Sequence, residues 1–258
     1  MIRVGVVGAT GKMGRQVCRA VADADDLTLA GAISRSAAGQ RLGDAIGIEG
    51  PAADVILAER LDEMVAAEAE VLVDFSGAAG APEHVEWAIA HGMHVVEGTT
   101  GFPVDPAWAS APVGVIVVPN FAIGAALMMR FAEIAARYFD AAEVIDLHHD
   151  LKADAPSGTA IATAQRIGDA RAGGWTAPDG DDRHTGARGA QIQGIRVHSV
   201  RLPGLLAHQE IIFGGPGQTL TIRHDATDRS SFLPGVMMAI RSVVDRPGLT
   251  VGLDALLD

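Results

Sequence analysis

Residues 2–7, IRVGVV, form a short apolar, β-branched run that meets GATGKMG, and residues 16–24 then have helical composition. A strand that must turn through glycines into a helix is the opening of a doubly wound parallel sheet. In such a turn the glycines let the backbone double back, approach a pyrophosphate and pack helix against strand. The helix start adds unpaired N–H groups and a positive dipole end. Gly8, Gly11 and Gly14 occupy these roles. The spacing is GxxGxxG, not GxGxxG, so a glycine turn without a ligand stays open, and it is the flanking strand and helix that favour a nucleotide.

A second strand is expected over residues 27–33. A dinucleotide-binding unit places an acidic residue on the ribose diol about 20 residues past the last glycine. Here Ser34 and Arg35 stand there. An acid would repel a 2′-phosphate, whereas Ser34 is neutral and Arg35 can clamp the phosphate, with Lys12 as a second cation. This pattern favours NADPH over NADH, against the alternative that Arg35 is a solvated loop charge. Apolar and helical segments then alternate: 55–57, 61–68, 71–75, 82–90 and 94–96, as α/β units do. The strand ends carry DFSG, EGTTG (97–101) and, after a strand at 114–117, VPNF (118–121). Ligands in open α/β sheets lie outside the carboxyl ends of strands. Thr99, Thr100 and Asn120 suit a nicotinamide ribose there, or serve as turn residues bonding their own backbone.

EVIDLHHDLKADAPSGTA, residues 143–160, holds the remaining chemistry. It reads as a strand at 141–147 with His148 and His149 at its end, on opposite faces because strand side chains alternate. Two adjacent strand histidines are badly placed to share a metal, and no Cys or carboxylate cluster completes a tetrahedral set, so no metal is expected. A structural histidine pair is the bland alternative. Against it, Lys152 follows in a short loop, and Ser157 reads as the N-cap of a helix over 158–170. That helix start offers the N–H groups of Gly158 and Thr159 to an anion. A proton donor, a cation and an anion-binding helix end within a dozen residues suit a small carboxylate that receives a hydride and a proton.

Bulk properties narrow the partners. With 258 residues, 48% of them hydrophobic, the chain can bury one large or two small cores. A formal net charge of −12 repels polyanions, so nucleic acid is not an expected partner. One cysteine, Cys18, allows no internal disulfide and no Cys-rich zinc cage. No run approaches ~18 apolar residues, and glycines break the first apolar stretch before a signal-type core forms, so a soluble cytoplasmic protein is expected without membrane contact.

GATGKMG, EGTTGF, VPNFAIG and above all HHDLKADAPSGTA resemble the dihydrodipicolinate reductase family over essentially the whole chain. The HHxxKxDAPSGTA run is specific to that family, whereas the glycine turn is shared with many dehydrogenases. The resemblance implies reduction of a cyclic imino dicarboxylate in bacterial lysine and diaminopimelate biosynthesis with either NADH or NADPH, and Ser34, in place of the family's acidic residue, supports NADPH as the preferred cofactor with NADH possible. By matching position it implies His148 as proton donor, Lys152 as its partner cation, and His149, Gly158 and Thr159 as substrate carboxylate contacts. It adds Arg229, in DRSSF, as a further substrate contact. For the cofactor it implies Gly8, Ala9, Thr10, Gly11, Lys12, Met13, Ser34, Arg35, Gly98, Thr99, Thr100, Val118, Pro119, Asn120 and Phe121. Three departures stand out: Ser34 in place of an acidic residue, Asp146 where family members often have Glu, and Asp150-Leu151 before the lysine. Asp150 places a negative charge near a dianionic substrate, and weakens its binding unless it points to solvent.

In the second half, residues 173–194 are rich in turn residues and charge and read as a long mobile loop, with Arg183, His184 and Arg188 as solvated charges or as contacts to a carboxylate or another subunit. Strands at 195–202, 208–213 and 219–224 follow without helices between them and should join the strand ending at His148 in an open antiparallel or mixed sheet. A helix over 231–244 carries Pro234 near its start. The expected whole is a Rossmann-like dinucleotide-binding domain, residues 1–121 and 230–258, and an α+β substrate-binding and tetramerisation domain, 122–229. The resemblance implies a homotetramer. Two crossings between the domains suggest a hinge that excludes water from hydride transfer.

Overall fold

The structure, a computed structural model, describes residues 1–171, 174–175 and 183–257. Residues 173 and 176–182 of the expected 173–194 loop therefore lie outside the described residues. The chain divides into two compact units, Met1–Phe121 with Phe232–Asp258, and Ala122–Ser231.

The first unit begins with β1 (Ile2–Val7), α1 (Gly14–Ala22) and β2 (Leu27–Ile33), as the glycine turn requires. It continues through α2 (Leu42–Ile46), β3 (Leu57–Ala58), α3 (Asp62–Ala66), β4 (Val71–Asp74), α4 (Ala81–Ala90), β5 (His94–Glu97) and β6 (Gly114–Val117). The second unit supplies α5 (Ile123–Ala135), β7 (Ala141–His148), α6 (Gly158–Asp169), β8 (Ala190–Ile192), β9 (Ile195–Arg201), β10 (Ala207–Gly215) and β11 (Gln218–Ala226). The chain then re-enters the first unit through a 3₁₀ turn at Arg229–Phe232, α7 (Leu233–Val243) and β12 (Gly248–Val251).

Seven parallel strands in the order β12-β6-β5-β4-β1-β2-β3 make the first sheet. Strands β4 and β6 are buried along their whole length, which is why VLVD and GVIV read as continuous runs and not as alternations. Leu72, Val95 and Val115 line one core with Val85 and Ala88 of α4 and Trp108. The order reverses beside β1, whose neighbours are β2 and β4, so a cleft must open outside the carboxyl ends of these strands.

In the second unit the sheet order is β11-β10-β7-β9-β8, with β7 and β9 parallel and the other pairs antiparallel. Helices α5 and α6 pack on one face, over Val144, Ile195, Val197, Ile211 and Phe213. Along β7, Ala142, Val144 and Asp146 are buried in alternation. A carboxylate thus occupies the third inward position of a strand whose first two are apolar.

Four elements escaped the sequence reading: α2, only five residues long, α5, β8 and β12. Helix α5, IGAALMMRFAEIA, is apolar on most sides and shows no clear period, while β8 and β12 are only three and four residues long. Strand β8 lies inside the segment read as a loop.

Candidate active site

The cleft at the reversal of strand order measures about 740 Å³ and is lined by the turns after β1, β2 and β4. Gly8, Thr10, Gly11, Ser34 and Arg35 all reach it, together with Ser36, Glu59 and Phe75. Gly8 adopts φ +78, and a Cβ there would meet the Phe75 carbonyl at 2.8 Å. A Cβ on Gly14 would sit 2.0 Å from the Gly8 oxygen, so the first turn of α1 is pressed onto the loop and only glycine fits. No side chain caps α1, whose N-cap residue is Met13, and of its first amides that of Arg15 donates to the Gly11 carbonyl at 3.2 Å. Ala9 is buried and Lys12 exposed. The residues present therefore fit a dinucleotide: a backbone cradle, an uncapped helix start and neutral hydroxyls at the end of β2.

Ser34 is 5% exposed, and its Oγ lies 2.6 Å from Thr10 Oγ1 and 3.3 Å from Ser36 Oγ. Arg35 is exposed at the cleft edge, and Glu59 lines the same cleft. The other residues expected at the cofactor lie in the turns after β5 and β6. The Thr99 amide donates to Glu97 Oε1 at 2.6 Å, and the Val118 amide to the Glu97 carbonyl at 2.9 Å. Phe121 packs its ring 5.6 Å from that of Phe75. Gly98 and Asn120 are half-buried, Thr100 and Pro119 exposed.

The second cluster forms at the end of β7, and Asp146 is its hub. Asp146 Oδ2 accepts from the Ser157 amide at 2.9 Å, from Arg201 Nη2 at 2.9 Å and from Ser199 Oγ at 3.3 Å. His148 Nδ1 lies 2.7 Å from Asp146 Oδ1, an ion-pair distance out of line for a hydrogen bond. Burial opposes the Asp146 charge, yet His148, the Ser157 amide and Arg201 outweigh it and hold the carboxyl well below its ordinary range. Arg201 also donates to the Asp154 carbonyl at 2.7 Å, clamping the loop that carries Lys152.

Lys152 Nζ contacts both oxygens of Asp154 at 2.7 and 2.8 Å. Ser157 caps α6 by accepting from the Ala160 amide, as its sequence position predicts. A Cβ on Gly158 would meet nothing within 4 Å, so this helix start faces open space. His149 is half-buried and Asp150 exposed, which places the Asp150 charge in solvent. The sheet register sets Arg201, His148, Ala207 and Ala226 in one row across β9, β7, β10 and β11. Arg229, half-buried, begins the 3₁₀ turn three residues past Ala226, at the same end of the sheet as His148 and two strands away. Arg188, open between solvated and paired in the sequence, pairs with Glu143 at 2.8 Å, while Arg183 and His184 are exposed.

Asp146, Ser199 and Arg201 were not legible as site residues in the sequence. Arg201 reaches Asp146 only through the β7–β9 register, 55 residues apart in the chain. An inward carboxylate on an otherwise alternating strand was the one available signal. Cys18 has no such role: it is buried in α1, and burial pushes its thiol up to about 12, far from a nucleophile.

A doubly wound nucleotide-type sheet joined to a mixed-sheet unit defines the class: a two-unit oxidoreductase fold. Within that class the match is specific. Residues 2–121 match the family model for the dihydrodipicolinate reductase N-terminus and residues 124–257 that for its C-terminus, and the chain belongs to this family. It is 49% identical to the 4-hydroxy-tetrahydrodipicolinate reductase of Nocardia farcinica, covering 100% of this chain and 99% of that one. The enzyme of the same name from Moorella thermoacetica is 46% identical over 100% and 98%. The dipicolinate-bound dihydrodipicolinate reductase of Paenisporosarcina sp. TG-14 superposes with a TM-score of 0.86 at 39% identity, covering 99% of each chain. Among the described residues no helix is long and apolar enough to cross a membrane.

Proposed function

We infer that the chain carries out its family's reaction, NAD(P)H-dependent reduction of 4-hydroxy-tetrahydrodipicolinate, by way of dihydrodipicolinate, to tetrahydrodipicolinate in lysine and diaminopimelate biosynthesis. The observation that carries the role assignment is the buried Asp146, which ties His148, the Ser157 helix start and, through Arg201, the Lys152 loop to one carboxylate.

The nicotinamide, when bound, supplies the hydride. This chain's residues supply the rest. Asp146 faces His148 Nδ1 and leaves Nε2 as the nitrogen that delivers the proton. Lys152 is the partner cation, held by a carboxylate 59% exposed, which a substrate carboxylate can replace. Gly158 and Thr159 offer helix-start amides to one substrate carboxylate, with His149 beside them. Arg229, at the same sheet end, is a cation for the other.

For the cofactor, Met1–Phe121 with Phe232–Asp258 is the dinucleotide-binding domain, and Ala122–Ser231 binds substrate. The glycine turn from Gly8 to Met13 takes the pyrophosphate, Ser34 and Arg35 the adenosine ribose and its 2′-phosphate, and Gly98, Thr99, Thr100 and Val118 to Phe121 the nicotinamide end. NADPH is favoured because Ser34 is neutral and Arg35 cationic, with Glu59 in the same cleft working against it. A cytoplasmic homotetramer completes the reading. Its physical motive is β11, an edge strand whose residues 218–221 are exposed.

The test supplies freshly generated 4-hydroxy-tetrahydrodipicolinate with NADPH or NADH and identifies the product by mass spectrometry. Tetrahydrodipicolinate formed in step with nucleotide oxidation is expected. Nucleotide oxidation without that product refutes the assignment.

A further inference from the structure

Two carboxyl side chains in the first unit sit where a parallel sheet ordinarily carries apolar residues. Asp74 ends β4, Glu97 ends β5, the two are direct register partners, and both are 0% exposed. Side chains at paired positions project from the same face of the sheet, so the carboxyls stand side by side. On its other flank Glu97 is paired with Val117 of β6, which is also buried. Helix α4 covers this face and brings His84, whose Nδ1 lies 2.6 Å from Asp74 Oδ2. The other α4 acids, Glu83 and Glu86, are exposed, and Arg241 of α7 is tied to Asp26. Among the described residues, Asp74 is the ionisable neighbour that acts on Glu97, and His84 reaches it through Asp74.

Three of the four carboxyl oxygens have partners. Asp74 Oδ1 accepts from the Ser76 amide at 2.7 Å, Asp74 Oδ2 faces His84, and Glu97 Oε1 accepts from the Thr99 amide at 2.6 Å. Glu97 Oε2 and the neighbouring Thr99 hydroxyl are both buried, and neither makes a hydrogen bond among the described residues. With both groups ionised, two like charges would share a dry site and one oxygen would stay unsatisfied. A proton on Glu97 Oε2, donated to Asp74, removes both costs. Burial first, and then the Asp74 charge, push the Glu97 carboxyl up to about 8, in line with that arrangement.

The pair braces the far end of the cleft. Asp74 holds the Phe75–Ser76 turn and Glu97 the Gly98–Thr99 turn. Between them, a Cβ on Gly98 would lie 2.2 Å from the Phe75 ring, and the Gly98 amide donates to the Asp74 carbonyl at 2.9 Å. Phe75 in turn touches the glycine loop at Gly8 and packs on Phe121. A shift in either turn is therefore passed to every segment proposed to seat the nicotinamide half.

We propose that Glu97 is a positioning residue of the dinucleotide site: as a neutral acid hydrogen-bonded to Asp74, it locks the turns after β4 and β5 in the arrangement that receives the nicotinamide end. This rests on the reading of the cleft as a dinucleotide site. Glu97→Gln is the conservative mimic, because its amide nitrogen can donate to Asp74 and its oxygen still accepts from Thr99. Glu97→Val removes the link.

The full-length chain is followed by urea unfolding without cofactor, and by NADPH fluorescence titration, from about pH 6 to about pH 9.5, across the titration of the raised acid. Wild type is expected to lose stability relative to Glu97→Gln over this range, and its NADPH Kd to rise about tenfold while that of Glu97→Gln stays flat. Glu97→Val should bind about tenfold more weakly at every pH. A stability difference between wild type and Glu97→Gln that does not change with pH overturns the shared proton. The expected stability difference with parallel Kd profiles overturns the positioning role. A wild type that keeps the stability signature but binds neither NADPH nor NADH overturns the dinucleotide reading itself, and the positioning role with it.

Discussion

Replacing Asp146 by asparagine keeps the shape of the side chain and removes its charge. The amide oxygen can still accept from Ser157, but Arg201, with its side chain 17% exposed, loses its ionised partner, and His148, 14% exposed, loses the carboxylate at 2.7 Å. A hydrogen bond to a charged group contributes about 1.5–3 kcal/mol, and breaking one partner of a buried pair costs about 3–5 kcal/mol because the other charge is left behind. Relief of the Asp146 desolvation offsets part of this, so about 3 kcal/mol is expected at neutral pH. The pH dependence has a fixed sign. The folded-state carboxyl lies below its ordinary value of 3.8, so its contribution is complete above that value and is lost as pH falls through the folded-state titration. Urea unfolding, followed by hydrogen exchange of the β7 and α6 peptides, should show the full difference between wild type and Asp146→Asn at neutral pH and a shrinking one below about pH 4. A difference below about 1 kcal/mol at neutral pH, or one indifferent to acid, would refute Asp146 as the hub.

Asp154→Asn breaks an ion pair whose acid is 59% exposed, so the same unfolding assay should register less than about 1 kcal/mol; a loss as large as that of Asp146→Asn would contradict the distinction drawn between the two carboxylates. Arg35→Ser should lower the NADPH-to-NADH ratio of kcat/KM roughly tenfold or more in steady-state assays, and an unchanged ratio makes Arg35 a solvated loop charge. Gly14→Ala drives a methyl group to 2.0 Å from a backbone oxygen; the α1 turn should shift, with a loss of at least about 3 kcal/mol by thermal unfolding and weakened NADPH binding, and wild-type behaviour would mean the glycine is not sterically required.

Which parts of this molecule could be read from the chain follows from the range of the interactions involved. The β1, glycine turn, α1 unit is local: β-branched residues, glycines and an amphipathic helix lie in order, and Val17, Cys18 and Val21 turn inward as the helical period requires. The N-cap at Ser157 is equally local, since the capping bond spans three residues. Helix α5 has no such signal, because a helix apolar on most sides loses the period that would reveal it. Strand β12 closes the sheet by pairing with β6, more than a hundred residues away in the chain, and four residues carry too little pattern to announce that. In the second unit His148, Lys152 and Gly158 were visible as a motif. The carboxylate that organises them became visible only when the β7–β9 register brought Arg201 and Ser199 beside it. Likewise Glu97 reads in the chain as part of a polar turn, and only its pairing with Asp74 shows a buried acid.

His148 as proton donor and Lys152 as its assisting cation are the central assignments for this site. The most direct measurement compares kcat for NADPH oxidation with freshly generated 4-hydroxy-tetrahydrodipicolinate in wild type, His148→Gln and Lys152→Ala, with NADPH binding measured on the same proteins. Both variants should bind NADPH like wild type, and each should lose on the order of 10²–10⁴ in kcat. Turnover within a fewfold of wild type in both variants would contradict the assigned roles.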